Sequence, residues 1–365
     1  MSVPGGRPQM TATVNQRSDA RGVARALPTS FRDPAEAPVV DDLLELVGAT
    51  PLVRVRHLTE GAPGEVFVKL DQFNIGGSSK DRIAIGIVRA AIESGELRPG
   101  QRIVDFGAGN TAIGYALAGR ATGHPVTAVV NGLLSPEKEN LLRFLGVDLV
   151  PGRADVPADD PENWAVIAER YEREDPSNWW ARQQSTHANP ATHVDSTGPE
   201  VWQQTGGRIT HWIAAMATGG TVSGTGRYLH DRDPSIEVVG TQFTEKANDT
   251  NLLQIARREP GWESLERNFP DNIDLDVIDR IEVRPRAEVI DYGWHVARTE
   301  GLVLGLSSIL SLRVAVDLAQ RVEPGSVIVS FSADSGRDYT SREYNAAWLR
   351  ENELGWIADR YEPAG

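Results

Sequence analysis

Arg102-Ile-Val-Asp-Phe-Gly-Ala-Gly-Asn-Thr111 carries the plan of the fold. Its first five residues read as a buried strand, and Gly107-Ala-Gly-Asn110 reads as a turn. Across 111–121 the apolar residues then recur at helical spacing. A strand at 125–130, a helix at 137–144 and a strand at 147–150 follow. Successive β-α-β units of this length predict a mainly parallel sheet with helices on both faces.

The alternation extends outward in both directions. Upstream, Glu65-Val-Phe-Val-Lys-Leu70 reads as a strand, Gly76-Gly-Ser-Ser79 breaks it, and 81–92 reads as a helix. Downstream, 152–162 is a Pro-, Asp- and Gly-rich loop, 209–215 a strand, 218–226 a glycine-rich loop and 236–242 another strand. A less regular insertion spans about 243–275. The end of the chain gives a helix at 308–321, a strand at 326–331 and a loop at 332–336. The strands fall into groups before and after about residue 185, which predicts two α/β layers facing one cleft.

Composition removes several classes of function. The chain has 365 residues, 40% of them hydrophobic and 24% charged, as in a folded globular protein. A net charge of -14 repels nucleic acid and anionic membrane, so neither is expected as a partner. The absence of cysteine excludes disulfides and thiolate metal sites. No apolar run approaches the roughly 20 residues that span a bilayer. Residues 1–40 carry Arg7, Arg17, Arg21, Arg25 and Arg32 among Pro, Gly, Ser and Asp, and read as a flexible extension rather than a signal peptide. A cytoplasmic location is the expectation. Of the 37 basic residues only four are lysine: Lys69, Lys80, Lys138 and Lys246. Arginine cannot form a Schiff base, so a lysine retained in a Gly/Ser loop draws attention.

Three segments are candidates for chemistry. Asn74-Ile-Gly-Gly-Ser-Ser-Lys80-Asp-Arg82 joins a strand to a helix. Ser78 or Ser79 is a suitable N-cap and Asp81 suits the first turn, whereas the positive helix end disfavours an ammonium on Lys80. That misfit lowers the lysine pKa, as a Schiff-base lysine requires, although a solvent-facing lysine at a loop edge is equally consistent with these residues alone. Ala217-Thr-Gly-Gly-Thr-Val-Ser-Gly-Thr-Gly226 follows a strand and offers backbone N–H groups, hydroxyls and a helix dipole to a phosphate, or simply makes a tight turn. Gly107-Ala-Gly-Asn110-Thr111 opens a helix and either binds a carboxylate there or only caps it. The seven histidines show no metal-ligand spacing and read as ordinary polar residues.

Taken in order, these segments resemble the cysteine synthase / cystathionine β-synthase family of fold-type-II pyridoxal phosphate enzymes. The resemblance runs through Val47-Gly-Ala-Thr-Pro-Leu-Val53, Gly77-Ser-Ser-Lys80-Asp-Arg82, Gly109-Asn-Thr111, Asn189-Pro190, Thr197-Gly-Pro-Glu-Val-Trp202, Thr218-Gly-Gly-Thr221, Gly305-Leu-Ser-Ser308 and Ser335-Gly-Arg-Asp-Tyr339. It covers roughly residues 42–345.

The resemblance implies pyridoxal 5'-phosphate as cofactor. Lys80 matches the lysine that forms the internal aldimine and shuttles the α-proton. Thr218, Gly219, Gly220 and Thr221 match the phosphate cup, Asn110 the residue beside the ring hydroxyl, and Ser307 the serine at the pyridine nitrogen. A serine there makes a weaker electron sink than an aspartate, which favours expulsion of a β-leaving group to give an aminoacrylate. The family usually has Thr-Ser where Gly107 and Ala108 stand. That leaves Gly107, Ala108 and Gly109 backbone, Thr111 and Gln183 to hold the substrate carboxylate. Arg182 suggests an anionic leaving group or nucleophile.

The architecture implied is two α/β domains with the cofactor between them. The smaller, 74–185, carries Lys80 and is expected to move; 42–73 with 186–350 form the larger, flanked by the extension 1–41 and a tail at 351–365. The expected activity is β-replacement on O-acetyl- or O-phosphoserine by a small nucleophile, in a homodimer. β-Elimination or deamination of a hydroxy amino acid is the alternative, and a non-catalytic binding protein of the same fold is a second. A dinucleotide-binding protein is disfavoured because Gly-x-Gly-x-x-Gly and its acidic partner are missing.

Overall fold

The computed structural model describes residues 39–362 apart from 108, 133, 249 and 268; the extension read over 1–41 lies almost wholly outside the described residues. Among the described residues ten strands form two sheets. The strands are β1 (Leu52–Arg54), β2 (Glu65–Leu70), β3 (Arg102–Phe106), β4 (Val126–Val130), β5 (Asp148–Pro151), β6 (Asn178–Trp180), β7 (His211–Ala215), β8 (Glu237–Phe243), β9 (Arg280–Arg284) and β10 (Val327–Ser332). The six-stranded sheet has the order β1-β2-β10-β7-β8-β9 and the four-stranded sheet β5-β4-β3-β6. Every pairing is parallel except that of β1 with β2. β2, β3, β4, β8 and β10 are buried along nearly their whole length, which is why they read as unbroken apolar runs rather than alternating ones. The antiparallel strand is short, half exposed and at an edge, where it gives no such signal.

The helices that matter to the site are α1 (Lys80–Ser94), α2 (Asn110–Thr122), α3 (Pro136–Phe144), α4 (Trp164–Glu174), α5 (Ala188–Asp195), α6 (Thr197–Gln204), α7 (Gly220–Arg232), α8 (Thr244–Asn248), α9 (Leu252–Ala256), α10 (Arg286–Glu300) and α11 (Leu306–Ala319). Most of the stretch read as a glycine loop over 218–226 is the first half of α7. Its glycines serve approach rather than turning. A Cβ on Gly224 would stand 2.1 Å from the Pro190 carbonyl oxygen, and one on Gly220 would stand 1.9 Å from Asn189 Oδ1. Only Gly219, with φ +90°, needs the left-handed conformation. Residues 243–275 hold α8, α9 and a short turn, and they bury Leu252, Ile255, Phe269 and Ile273 in the core of the larger sheet. The tail read over 351–365 carries a further helix, Gly355–Tyr361, with Ile357 and Ala358 buried.

A buried charge network ties these elements together. Arg82, 3% exposed, gives two hydrogen bonds to Asp71 (2.7 and 2.9 Å) and two to Glu200 (2.7 and 2.9 Å). Lys69 Nζ donates to Glu200 Oε2 (2.5 Å) and to the Thr50 carbonyl (2.6 Å). The Thr50 hydroxyl donates to Asp71 Oδ1 (2.6 Å), and Glu200 accepts from the Ala49 and Thr50 amides. Burial alone would push the Glu200 carboxyl upward, but Arg82 and Lys69 outweigh it and hold the group at about 2.

Glu200 therefore stabilises the fold fully above its unfolded value of 4.5, and the contribution is lost as pH falls toward about 2. Glu200→Gln is expected to cost about 3–5 kcal/mol at neutral pH, because it leaves the two buried cations Arg82 and Lys69 with Asp71 as their one nearby carboxylate in this network. Melting curves of both proteins check this: the gap in Tm should narrow as pH is lowered from 5 to 3.

Candidate active site

Lys80 is the first residue of α1, and its position is set by pairing of the preceding loop with the segment after β10. Ser78 forms an antiparallel bridge with Asp334, and the Ser79 amide donates to the Ala333 carbonyl (2.8 Å). Ser78 Oγ takes the Lys80 amide (3.2 Å), so this hydroxyl does the capping; the Ser79 side chain makes no cap. Lys80 Nζ has one hydrogen bond among the described residues, to Ser79 Oγ at 3.2 Å. Burial is the main cause that lowers its pKa; Lys138 adds to this, and Asp334 opposes it most strongly. The direction agrees with the sequence expectation, but desolvation rather than the helix end is the leading cause.

The Thr218–Thr221 loop lies between β7 and the N-terminus of α7. Asn189 donates from Nδ2 to the Thr218 hydroxyl (3.1 Å) and to the Gln183 carbonyl (2.6 Å). Asn272 donates to the same carbonyl (2.9 Å), and Ile273 packs where a side chain on Gly219 would go, 2.5 Å from its Cβ position. The loop is thus an open cradle held from behind, with amides and two hydroxyls at a helix N-terminus.

The Gly107–Thr111 loop is supported by Asp105 at the end of β3. Asp105 accepts from the Phe106 and Gln183 amides (2.9 and 3.2 Å), the Tyr115 hydroxyl (3.0 Å) and Trp180 Nε1 (3.2 Å). Burial raises its pKa to about 6 while the four donors pull it back. Gly109 has φ +108° and passes within contact of Leu134 and Lys138. Ala108 lies outside the described residues. Thr111 donates to Gln183 Oε1 (2.7 Å), and Gln183 Nε2 donates to the Phe106 carbonyl (2.5 Å). Gln183 therefore orients Thr111 and braces the loop.

Asn110 donates from Nδ2 to Asp334 Oδ2 (2.9 Å), which also accepts from the Tyr339 hydroxyl (2.9 Å). Lys138 Nζ lies 3.5 Å from the same oxygen and 5.2 Å from the Tyr339 ring centre. Ser307 is the second residue of α11, and its hydroxyl has no partner among the described residues, whereas the neighbouring Ser308 hydroxyl accepts from the Ala333 amide (2.9 Å). Arg182 is the exception among the expected residues. Its guanidinium is paired with Glu172, donates to the Trp180 carbonyl (2.9 Å) and stacks 4.6 Å from the Trp180 ring. Its charge is already matched, so the expectation that it receives an anion from substrate has no support in this arrangement. Asp105, Lys138, Asp334 and His193, which touches Thr221, had no assigned role in the sequence reading. Each gains its place from partners far along the chain, and composition gave no signal for them.

The family described as pyridoxal-phosphate dependent enzyme matches residues 43–334. Cysteine synthase 1 of Neurospora crassa is 32% identical over 337 residues, covering 89% of each chain. The solved O-ureido-L-serine synthase aligns with a TM-score of 0.73 at 28% identity, covering 86% of this chain and all of that one. O-acetyl serine sulfhydrylase isoform 3 from Entamoeba histolytica aligns with a TM-score of 0.76 at 25% identity, over 92% of this chain and 99% of that one.

Asp105 faces donors only, so Asp105→Asn turns an amide toward an N–H or O–H that it cannot accept. The expected cost is about 1–3 kcal/mol, read as a lower Tm at pH 8. An unchanged Tm would show that the carboxylate is dispensable beneath the loop.

Proposed function

Because the chain belongs to the family of pyridoxal-phosphate dependent enzymes, and depends on that cofactor as its relatives do, we propose that it catalyses β-replacement on an O-acylated serine by a small nucleophile. The observation that carries this reading is Lys80: a part-buried amine with a lowered pKa and one weak partner among the described residues, at the start of a helix.

The residues fit the cofactor. Gly219 and Gly220, packed against Ile273 and Asn189, set the Thr218 and Thr221 hydroxyls and the loop amides at the N-terminus of α7, an arrangement that suits a phosphate. Asn110, which keeps a second amide proton beside its bond to Asp334, and the Ser307 hydroxyl, without a partner among the described residues, suit the ring. When bound, pyridoxal phosphate supplies an electron sink for the substrate α-carbon.

The remaining work falls to the chain's own groups. Burial lowers the Lys80 pKa, which eases loss and return of a proton at Nζ, and Asp334 is the charge that most favours its ammonium form. Backbone amides of Gly109, Asn110 and Thr111 at the N-terminus of α2 are suited to the substrate carboxylate. Asp105 and Gln183 brace that loop from below. Position 107 carries glycine where the family pattern has a hydroxyl residue, and a Cβ there would stand 3.0 Å from Gln183 Nε2. The likeness to an O-ureido-L-serine synthase supports a bulkier nucleophile than sulfide. The four-stranded unit of about 74–185 is proposed to close over the substrate.

The test is the visible band of the reconstituted protein on addition of O-acetylserine and then O-phosphoserine, followed by sulfide or hydroxyurea. A band that shifts with one donor and returns with one nucleophile, giving a new amino acid, is expected. Release of keto acid and ammonia from the donor alone would replace this reading with β-elimination. Lys80→Ala should lower turnover by about 10²–10⁴-fold and abolish cofactor attachment to peptide 80 after borohydride reduction.

A further inference from the structure

Behind the Thr218–Thr221 loop stands a histidine that the proposed chemistry does not use. His193 is on α5 and 1% exposed. Its Nε2 lies 3.1 Å from Thr221 Oγ1 and its Nδ1 lies 2.9 Å from Thr197 Oγ1. The close contact of α5 with α7 brings the ring there, since Gly224 lets its backbone approach Pro190 and His193. The ring therefore spans two hydroxyls, one of them in the cradle.

We propose that His193 donates from Nε2 to Thr221 and so turns the Thr221 hydroxyl proton into the cradle, making His193 a positioning residue for the phosphate end of the cofactor. The inference rests on the cofactor reading above and adds a residue to it. The argument is a count of protons. A phosphate dianion only accepts hydrogen bonds, so Thr221 assists it only if its single O–H proton is free. If Thr221 donated to Nε2, its lone pairs would face the phosphate and repel it. If Nε2–H donates to Thr221, the hydroxyl proton points outward, and a charge-assisted bond forms. Nδ1 then carries no proton and accepts from the Thr197 hydroxyl, which is buried at the start of α6 and available for that bond. A doubly protonated ring is disfavoured: burial first, then the nearby Arg82 and Lys80 charges, hold its pKa at about 3. One proton remains, and the phosphate decides which nitrogen keeps it.

The test compares equilibrium binding of pyridoxal phosphate and of pyridoxal to the unmutated protein, His193→Gln and His193→Leu. Pyridoxal lacks the phosphate, so a loss of general packing weakens both ligands alike. The expected result is that His193→Leu cuts the preference for the phosphorylated ligand by about tenfold. His193→Gln keeps an N–H near the Nε2 position and should retain most of that preference. Equal weakening of both ligands, or none, overturns the proposal. Ring nitrogen-15 spectra of the holoenzyme give an independent readout that does not need the leucine variant to fold. Protonation on Nε2 is expected, and protonation on Nδ1 overturns the proposal. Failure of the unmutated protein to bind either ligand covalently would instead remove the cofactor reading, and this inference with it.

Discussion

The Arg82 guanidinium, clamped between Asp71 and Glu200, is the constraint on which the rest of the site depends. A charge buried this deeply is tolerable only with near-complete pairing, and removing any partner leaves an uncompensated ion. Its planar fork serves two carboxylates at once, which the single point charge of a lysine could not do. Through Glu200 the guanidinium gathers the Gly48–Thr50 backbone, Lys69 on β2 and helix α6; through Asp71 it holds the turn after β2. Lys80 stands two residues before it on the same helix. The amine proposed to react is thus placed by a salt network that never touches it.

Small residues convert this anchor into a tight frame. A Cβ on Gly86 would fall 1.8 Å from Thr192 Oγ1, and one on Gly114 would fall 2.9 Å from the Lys80 carbonyl oxygen. Helix α2 therefore presses directly on α1 at the turn that carries Lys80, and α5 presses on the same helix further along, at Gly86. With its backbone held on both flanks, Lys80 has little freedom left except in its own side chain, the kind of preorganisation that catalysis rewards. The same device brings α5 onto α7, so one histidine ring bridges two helices.

The sequence disclosed what local rules govern. β3, β4 and the first halves of the βα units are covered on both faces, so their apolar runs stand out. Lys80 drew attention because a lysine in a Gly/Ser loop at a helix start is locally unfavourable, although a solvent-facing lysine fitted those residues equally well. What stayed hidden is non-local. Asn110 and Asp334 meet across 224 positions, and His193 reaches Thr221 across 28. Nothing near either residue in the chain announces its partner. The misreading of 218–226 has the same origin: glycines kept for helix contact are indistinguishable in sequence from glycines kept for a turn. Arg182 was singled out for its charge, but charge alone does not reveal that Glu172, on a neighbouring helix, already holds it.

A protein with a net charge of -14 is an unlikely receptor for anions, yet the proposed substrate carboxylate and cofactor phosphate are both anionic. The topology resolves the conflict. Asn110 and Gly220 each open a helix shortly after a strand of a parallel sheet, Lys80 opens one after the turn that follows β2, and Ser307 lies one residue into α11. Each of these positions thus lies at the positive end of its helix. The cations nearby are spoken for: Arg82 by Asp71 and Glu200, Arg182 by Glu172, Lys138 by Asp334. Recognition is left to backbone amides and hydroxyls. Such groups cannot titrate, and they hold an anion without adding a mobile positive charge beside the amine. A free cation in the cleft would attract the same anions but would also compete with the reacting amine for its proton balance. Neutral donors leave the basicity of Lys80 to be set by burial, by Asp334 and Asp71, and by Lys138 acting against them.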